Sequence, residues 1–187
     1  MNVGGHAIEP QEKMKYLGVI FDVGMKFIDH VNYINGKISK TIAKLANVFR
    51  NTFGYGNAAR RIMVKGCIES VYLYASVVWG AALRYHSVIN SIREAQRKVN
   101  SICARSYRDV GYAISTVLAG MPPLDLTIEK RTICYSVRKK YYPIMWSVLE
   151  PFDISTTITE KALRTMLDQR VLESWDRLYL NSIPESH

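Results

Sequence analysis

At 187 residues and 48% hydrophobic, the chain is long enough to bury one sizeable core, and its charged fraction of 22% argues against disorder. The net charge of +9 and pI near 9.5 point to an acidic partner, and the excess is regional: residues 51–108 carry +7 whereas residues 151–187 carry −2. Cys67, Cys103 and Cys134 lack CxxC or Cys/His spacing, which argues against a disulfide framework or zinc site and predicts small buried hydrophobes in a reducing compartment.

The first 28 residues read as a strand or hairpin pair. "NVGGHAIEP" precedes "MKYLGVIFD" (Met14 to Asp22), where Tyr16, Leu17, Val19, Ile20 and Phe21 are β-formers and Gly18 is a breaker. A lone strand or hairpin is marginal in water. Tyr16 to Asp22 must therefore pair with Val3 to Ile8, pack on the helices that follow, or pair with a second copy.

Asp29 is placed to cap a first helix running to about Arg50. Val31, Ile34, Ile38, Ile42, Leu45, Ala46 and Phe49 follow helical spacing along one face, and Lys37, Lys40 and Lys44 fall on the other. Between them runs a strip of small or polar residues that includes Gly36, Ala43 and Asn47. Gly36 costs a helix about 1 kcal/mol relative to alanine, so either a ligand or another helix is expected to approach the backbone there.

After "NTFGYGN", Asn57 is the expected cap of a second helix reaching about Leu83. Arg60, Arg61 and Lys65 crowd its first turns, where cations oppose the helix dipole unless a phosphate sits at that end. From Ser70 to Leu83 it carries no charge, as a central helix would, and this run is too short to cross a bilayer. A third helix is predicted from Ser87 to Tyr107, with Val88, Ile92, Ala95, Val99, Ile102 and Cys103 inside and Arg93, Arg97 and Lys98 among its outer cations. "DVGYAISTVLAGMPPL" gives a short helix ended by Gly120 and the two prolines. A fourth long helix is capped by Asp125 or Thr127 and stopped by Pro143, and Thr157 with Glu160 forms a capping box for the last. The predicted fold is mainly α: a hairpin over 1–28, a three-helix bundle over 29–110 and a helical extension over 111–187.

Catalytic signatures are absent. The chain has no GxSxG, HExxH or P-loop, its four histidines are scattered, and Asp22 and Asp29 are too few carboxylates for two-metal chemistry. No enzyme activity, cofactor or metal is expected. With no signal peptide read at the start, the expectation is an intracellular protein of nucleus or cytoplasm, without a membrane partner.

Taken together, "KYLGVIFD", "LYASVVWGAAL", "REAQRKVNSICARSYRDVGYAISTVLAGMPPLDLTIEKR" and "RVLESWD" resemble, in order, blocks of the reverse transcriptases of insect non-LTR retrotransposons of the R1 and TRAS kind. The resemblance implies that KYLGV belongs to the last palm hairpin, beside the primer end, and that the helices after it form the thumb and its C-terminal extension. The family's FADD-type motif is missing here, which implies a non-catalytic module. A thumb holds the primer–template duplex, so the implied partner is nucleic acid, as DNA, RNA or hybrid. The implied contacts are Gly36, Lys37, Lys40, Ala43, Lys44 and Asn47, extended by Arg60, Arg61, Lys65, Arg93, Arg97 and Lys98 if they share a side. The alternative is a protein-interaction module that covers apolar surface with a homodimer or a host protein partner.

Overall fold

The computed structural model describes residues 2–3, 6–7, 11–51, 55–139 and 159–182. Two small antiparallel ladders open the chain: β1 (Asn2–Val3) pairs with β2 (His6–Ala7), and β3 (Lys13–Tyr16) with β4 (Val19–Asp22). "KYLGVIFD" is thus a hairpin in itself, and of the three expected solutions pairing with Val3 to Ile8 is not the one adopted. Leu17 and Gly18 form the turn with φ of +45° and +84°, the two positive values that a tight hairpin turn needs. The hairpin packs on the helices through buried Val19 and the edge-on contact of Phe21 with Phe27, and the Tyr74 hydroxyl donates to the Leu17 carbonyl at 2.9 Å.

Asp22, rather than Asp29, organises the approach to the first helix. Its carboxylate accepts the backbone N–H groups of Lys26 (3.0 Å) and Phe27 (2.7 Å), bonds that hold it below the usual carboxylate range. Asp29 lies inside α1 (Ile28–Asn51) and pairs with Lys13 at 3.0 Å. The apolar face of α1 is buried as its spacing predicts, with Val31, Ile34 and Ile38 almost fully covered.

The second predicted helix is several pieces. After α2 (Asn57–Val64), capped by Gly56 and not Asn57, come a π turn (Lys65–Glu69), α3 (Ser70–Leu73), α4 (Ser76–Trp79) and a 3₁₀ turn (Gly80–Arg84). The axis bends by 50° at Tyr74 and Ala75, where Ala75 takes φ +50°. Fully buried Trp79 anchors the bend by donating its indole N–H to the Tyr74 carbonyl at 3.1 Å. Among the described residues no single helix is long and apolar enough to cross a membrane.

Helix α5 (His86–Ala104) lies against α1 and buries Val88, Ile92, Val99 and Cys103. A polar triad ties the layers together: the Tyr72 hydroxyl donates to the Asn35 side-chain carbonyl, whose amide donates to Ser91 Oγ at 2.7 Å. Then come α6 (Tyr112–Ala119), ended by Gly120 as expected, and α7 (Leu124–Arg138). Pro123 occupies the cap of α7; Asp125 is buried in the first turn, and the Thr127 hydroxyl donates back to the Pro123 carbonyl. Pro143 and Thr157 lie outside the described residues. The observed cap of α8 (Glu160–Leu180) is Thr159, whose hydroxyl accepts the Ala162 N–H.

One core runs from Val19 to Ile128, across both expected boundaries at 28 and 110. A second, smaller cluster of Leu126, Ile133, Leu163, Leu167 and Val171 joins α7 to α8. Cys103 is buried and Cys134 half-buried, but Cys67 is exposed, because the π turn points it away from the core.

Candidate nucleic-acid interface

Gly36, Lys37, Lys40, Ala43, Lys44 and Asn47 are all exposed on α1. With 3.6 residues per turn they fall within an arc of about 120°, a single solvent-facing stripe. A Cβ added to Gly36 would meet nothing within 4 Å. The expected alternative of another helix packing on this glycine is therefore not what the described residues show; the backbone there is bare.

The hairpin extends this stripe in a way the sequence reading missed. Lys13 and Lys15, two apart on β3, reach Asp29 and Tyr33, four apart on α1, so strand and helix periods coincide. Lys15 Nζ donates to the Tyr33 hydroxyl at 2.8 Å, and the ammonium groups of Lys15 and Lys37 each lie 4.6 Å from the Tyr33 ring centroid. The Lys15 hydrogen bond first, and Lys37 after it, push the phenol below its ordinary pKa. Two cations thus converge on one half-buried ring, while the nearby Asp29 carboxylate is held by Lys13.

Three of the remaining candidates are turned inward. Arg60 is 4% exposed, donates to the Cys103 carbonyl at 3.3 Å and lies over the Phe49 ring. Arg61 donates Nε–H to the Ala119 carbonyl at 2.6 Å. Both guanidinium groups thus sit at the C-terminal ends of other helices, α5 and α6, where the dipole favours a cation. That explains how α2 tolerates them in its first turns. Arg93 places two N–H donors on Asp125 Oδ2, at 2.9 and 2.6 Å. Lys98 is exposed and paired with Glu94 at 2.9 Å; Lys65 is exposed on the π turn; half-buried Arg97 lines a groove with Tyr112 and Leu178. The structure brings the six α1 residues and Lys15 together and leaves Arg60, Arg61 and Arg93 out of that group.

Gly120 makes the Arg61 contact possible. It has φ +62°, and a Cβ there would lie 2.5 Å from the guanidinium carbon. Gly120→Ala is expected to lower stability by about 2 kcal/mol, from left-handed strain plus loss of the Ala119 hydrogen bond. In urea melts its cost should shrink in an Arg61→Ala background, because the two changes remove the same contact.

No protein-family model matches the chain, and no solved structure matches it. Relatives among known proteins are nevertheless clear. The chain is 30% identical over 169 residues to a retrovirus-related Pol polyprotein from the type-1 retrotransposable element R1 2 of Nasonia vitripennis, covering 90% of this chain and 41% of that protein. It is 28% identical over 164 residues to a putative 115 kDa protein in the element R1DM of Drosophila melanogaster, covering 86% of this chain and 16% of that one. A third relative, the Pol polyprotein of the R1 element of Bradysia coprophila, is 26% identical over 175 residues, which are 94% of this chain and 17% of the relative. The chain therefore spans less than half the length of these relatives, and over most of its own length its homologues are the Pol polyproteins of R1-type non-LTR retrotransposons.

Proposed function

We propose that this Pol-derived module binds a nucleic-acid duplex, without catalysis, through the exposed stripe of α1 and Lys15. The observation that carries this reading is the bare backbone at Gly36 beside Lys37, Lys40 and Lys44: a stripe open to close approach, flanked by cations. Such contacts engage phosphate and sugar, so binding is salt-dependent and nearly blind to sequence. Four lysine–phosphate contacts correspond to a log–log salt slope of about −3 to −4.

The test is fluorescence anisotropy with an RNA–DNA primer–template duplex at several salt concentrations. Charge reversal of Lys37, Lys40 and Lys44 to glutamate is expected to weaken binding at least tenfold and flatten the slope by about three. Gly36→Ala separates the two sides of the reading: it should stabilise the fold by up to about 1 kcal/mol, yet weaken binding by hindering close approach. A slope near zero in the unaltered protein would remove this function.

A second reading, a homodimerising or protein-interaction module, is favoured by the hairpin's exposed apolar residues. Leu17 is 72% and Val23 83% exposed, and β3 has one unpaired edge among the described residues. Static light scattering distinguishes the readings, since a dimer broken by Leu17→Lys with duplex binding unchanged would favour the second.

A further inference from the structure

A surface cleft of about 600 Å³ lies between α7, the start of α8 and the bend of α3 and α4. It shares no residue with the α1 stripe. Its apolar lining includes Leu73 and Val77, its wall Tyr135, and four cations surround it: Lys130, Arg131, Arg138 and Arg164. Glu160 is the one carboxylate among the described lining residues and is held by Arg164 at 2.7 Å, while Lys130 is paired with Asp168 just outside. Among the described residues two guanidinium groups have no carboxylate partner. Arg138 lies over the Tyr135 ring at 5.6 Å, and exposed Arg131 has no ion pair among the described residues.

From this arrangement we infer that the cleft is a second nucleic-acid site, and that it takes a single strand. Arg131 and Arg138 are seven residues apart, hence on the same face of α7 and about 10 Å apart along its axis. Successive phosphates of one strand could engage both at that spacing, and guanidinium is suited to bidentate phosphate contacts. The apolar residues and the Tyr135 ring supply what phosphates do not use, a surface for a base. A cationic groove with an aromatic platform is the chemistry of sequence-tolerant single-strand binding.

The experiment uses the full chain carrying Lys37→Glu, Lys40→Glu and Lys44→Glu, so that the α1 stripe contributes nothing, and a fluorescein-labelled oligo(dT) as probe. The strand is expected to bind with a log–log salt slope of at least about −1.4, from two phosphate contacts at roughly −0.7 each. Adding Arg131→Glu with Arg138→Glu should weaken it at least tenfold, and Tyr135→Ala alone about five- to tenfold, with unchanged circular dichroism in both. Lys26→Glu with Arg108→Glu, the same charge change elsewhere, should alter affinity less than twofold. Absence of binding in the α1-reversed background overturns the inference, as does an equal loss in the Lys26/Arg108 control. Duplex binding by the unaltered protein is measured separately, so failure of the α1 reading and failure of this one give different results.

Discussion

Arg93→Ala is expected to destabilise the protein by about 3–5 kcal/mol, although sequence pattern alone places this arginine on the outside of its helix. The reason is its partner. Asp125 is 0% exposed, and Oδ2, the carboxylate oxygen bonded among the described residues, receives both donors from Arg93. Removing the guanidinium strands a buried charge, which costs far more than an exposed ion pair contributes. Among the described residues the neighbouring donor offers no replacement. Gln96 is already committed, accepting the Tyr112 hydroxyl at 2.7 Å and the Leu124 N–H at 2.8 Å and donating to the Pro122 carbonyl at 2.9 Å. Arg93 also lies over the Tyr112 ring at 5.5 Å, so its loss loosens α5, α6 and α7 together. Urea unfolding should show a lower midpoint with little change in slope. Arg93→Leu with Asp125→Leu should recover most of the loss, since apolar residues can replace a buried pair at small cost. Lys98→Ala, which breaks only an exposed pair with Glu94, should cost under about 1 kcal/mol. An Arg93→Ala cost as small as that of Lys98→Ala would show that Asp125 finds water or another donor.

The contrast between Arg93 and Lys98 also marks how far the sequence is legible. Where periodicity decides, the reading holds: Val31, Ile34 and Ile38 face inward on α1, and Gly36, Lys37, Lys40, Ala43, Lys44 and Asn47 face outward. Arginines that serve as internal donors look the same in sequence as solvated ones. The acceptors of Arg60, Arg61 and Arg93 lie 43, 58 and 32 residues away, beyond any local pattern. The bend at Ala75 has no glycine or proline at its vertex. It is held by a local bond, the Trp79 indole on the Tyr74 carbonyl, and by a tertiary contact at Gly80, where a Cβ would lie 2.7 Å from Thr132 Oγ1. The hairpin turn was hidden because Leu17, a residue that rarely takes positive φ, precedes Gly18. Without that turn, Lys15 could not be placed beside Tyr33. The exposed cationic stripe is thus legible on its helix but not where it crosses onto the strand.

Acidification from pH 7 to pH 4 is expected to remove about 3 kcal/mol of stability through His30 alone. His30 is 1% exposed at the junction of hairpin, α1 and Trp79. Its Nδ1 accepts the Ile20 N–H at 3.3 Å, so the ring proton resides on Nε2, which has no hydrogen-bond partner among the described residues. A second proton would have to enter at Nδ1, against a backbone donor. Burial first, and the positive charge of Lys37 second, push the imidazole down from 6.5 to about 4. The unfolded chain therefore binds this proton more readily than the folded one. The contribution is complete above about pH 6.5 and is lost as pH falls through that value towards 4. Burial of Glu69 acts in the opposite sense, since it raises that carboxyl and favours the protonated form when folded. Urea midpoints measured between pH 4 and 8 should fall steeply below about 6.5, and His30→Asn, which keeps an acceptor near Nδ1, should flatten that fall. An undiminished fall in His30→Asn, or an imidazole that titrates near 6.5 in the folded protein, would assign the acid sensitivity elsewhere. The same result bears on the interface, because the Ile20–His30 bond joins the strand bearing Val19 to α1 and so helps hold Lys15 on the β3 partner strand against Tyr33. Partial loss of duplex binding between pH 5 and 4, where the folded imidazole itself takes up the proton, and its absence in His30→Asn are the expected consequence.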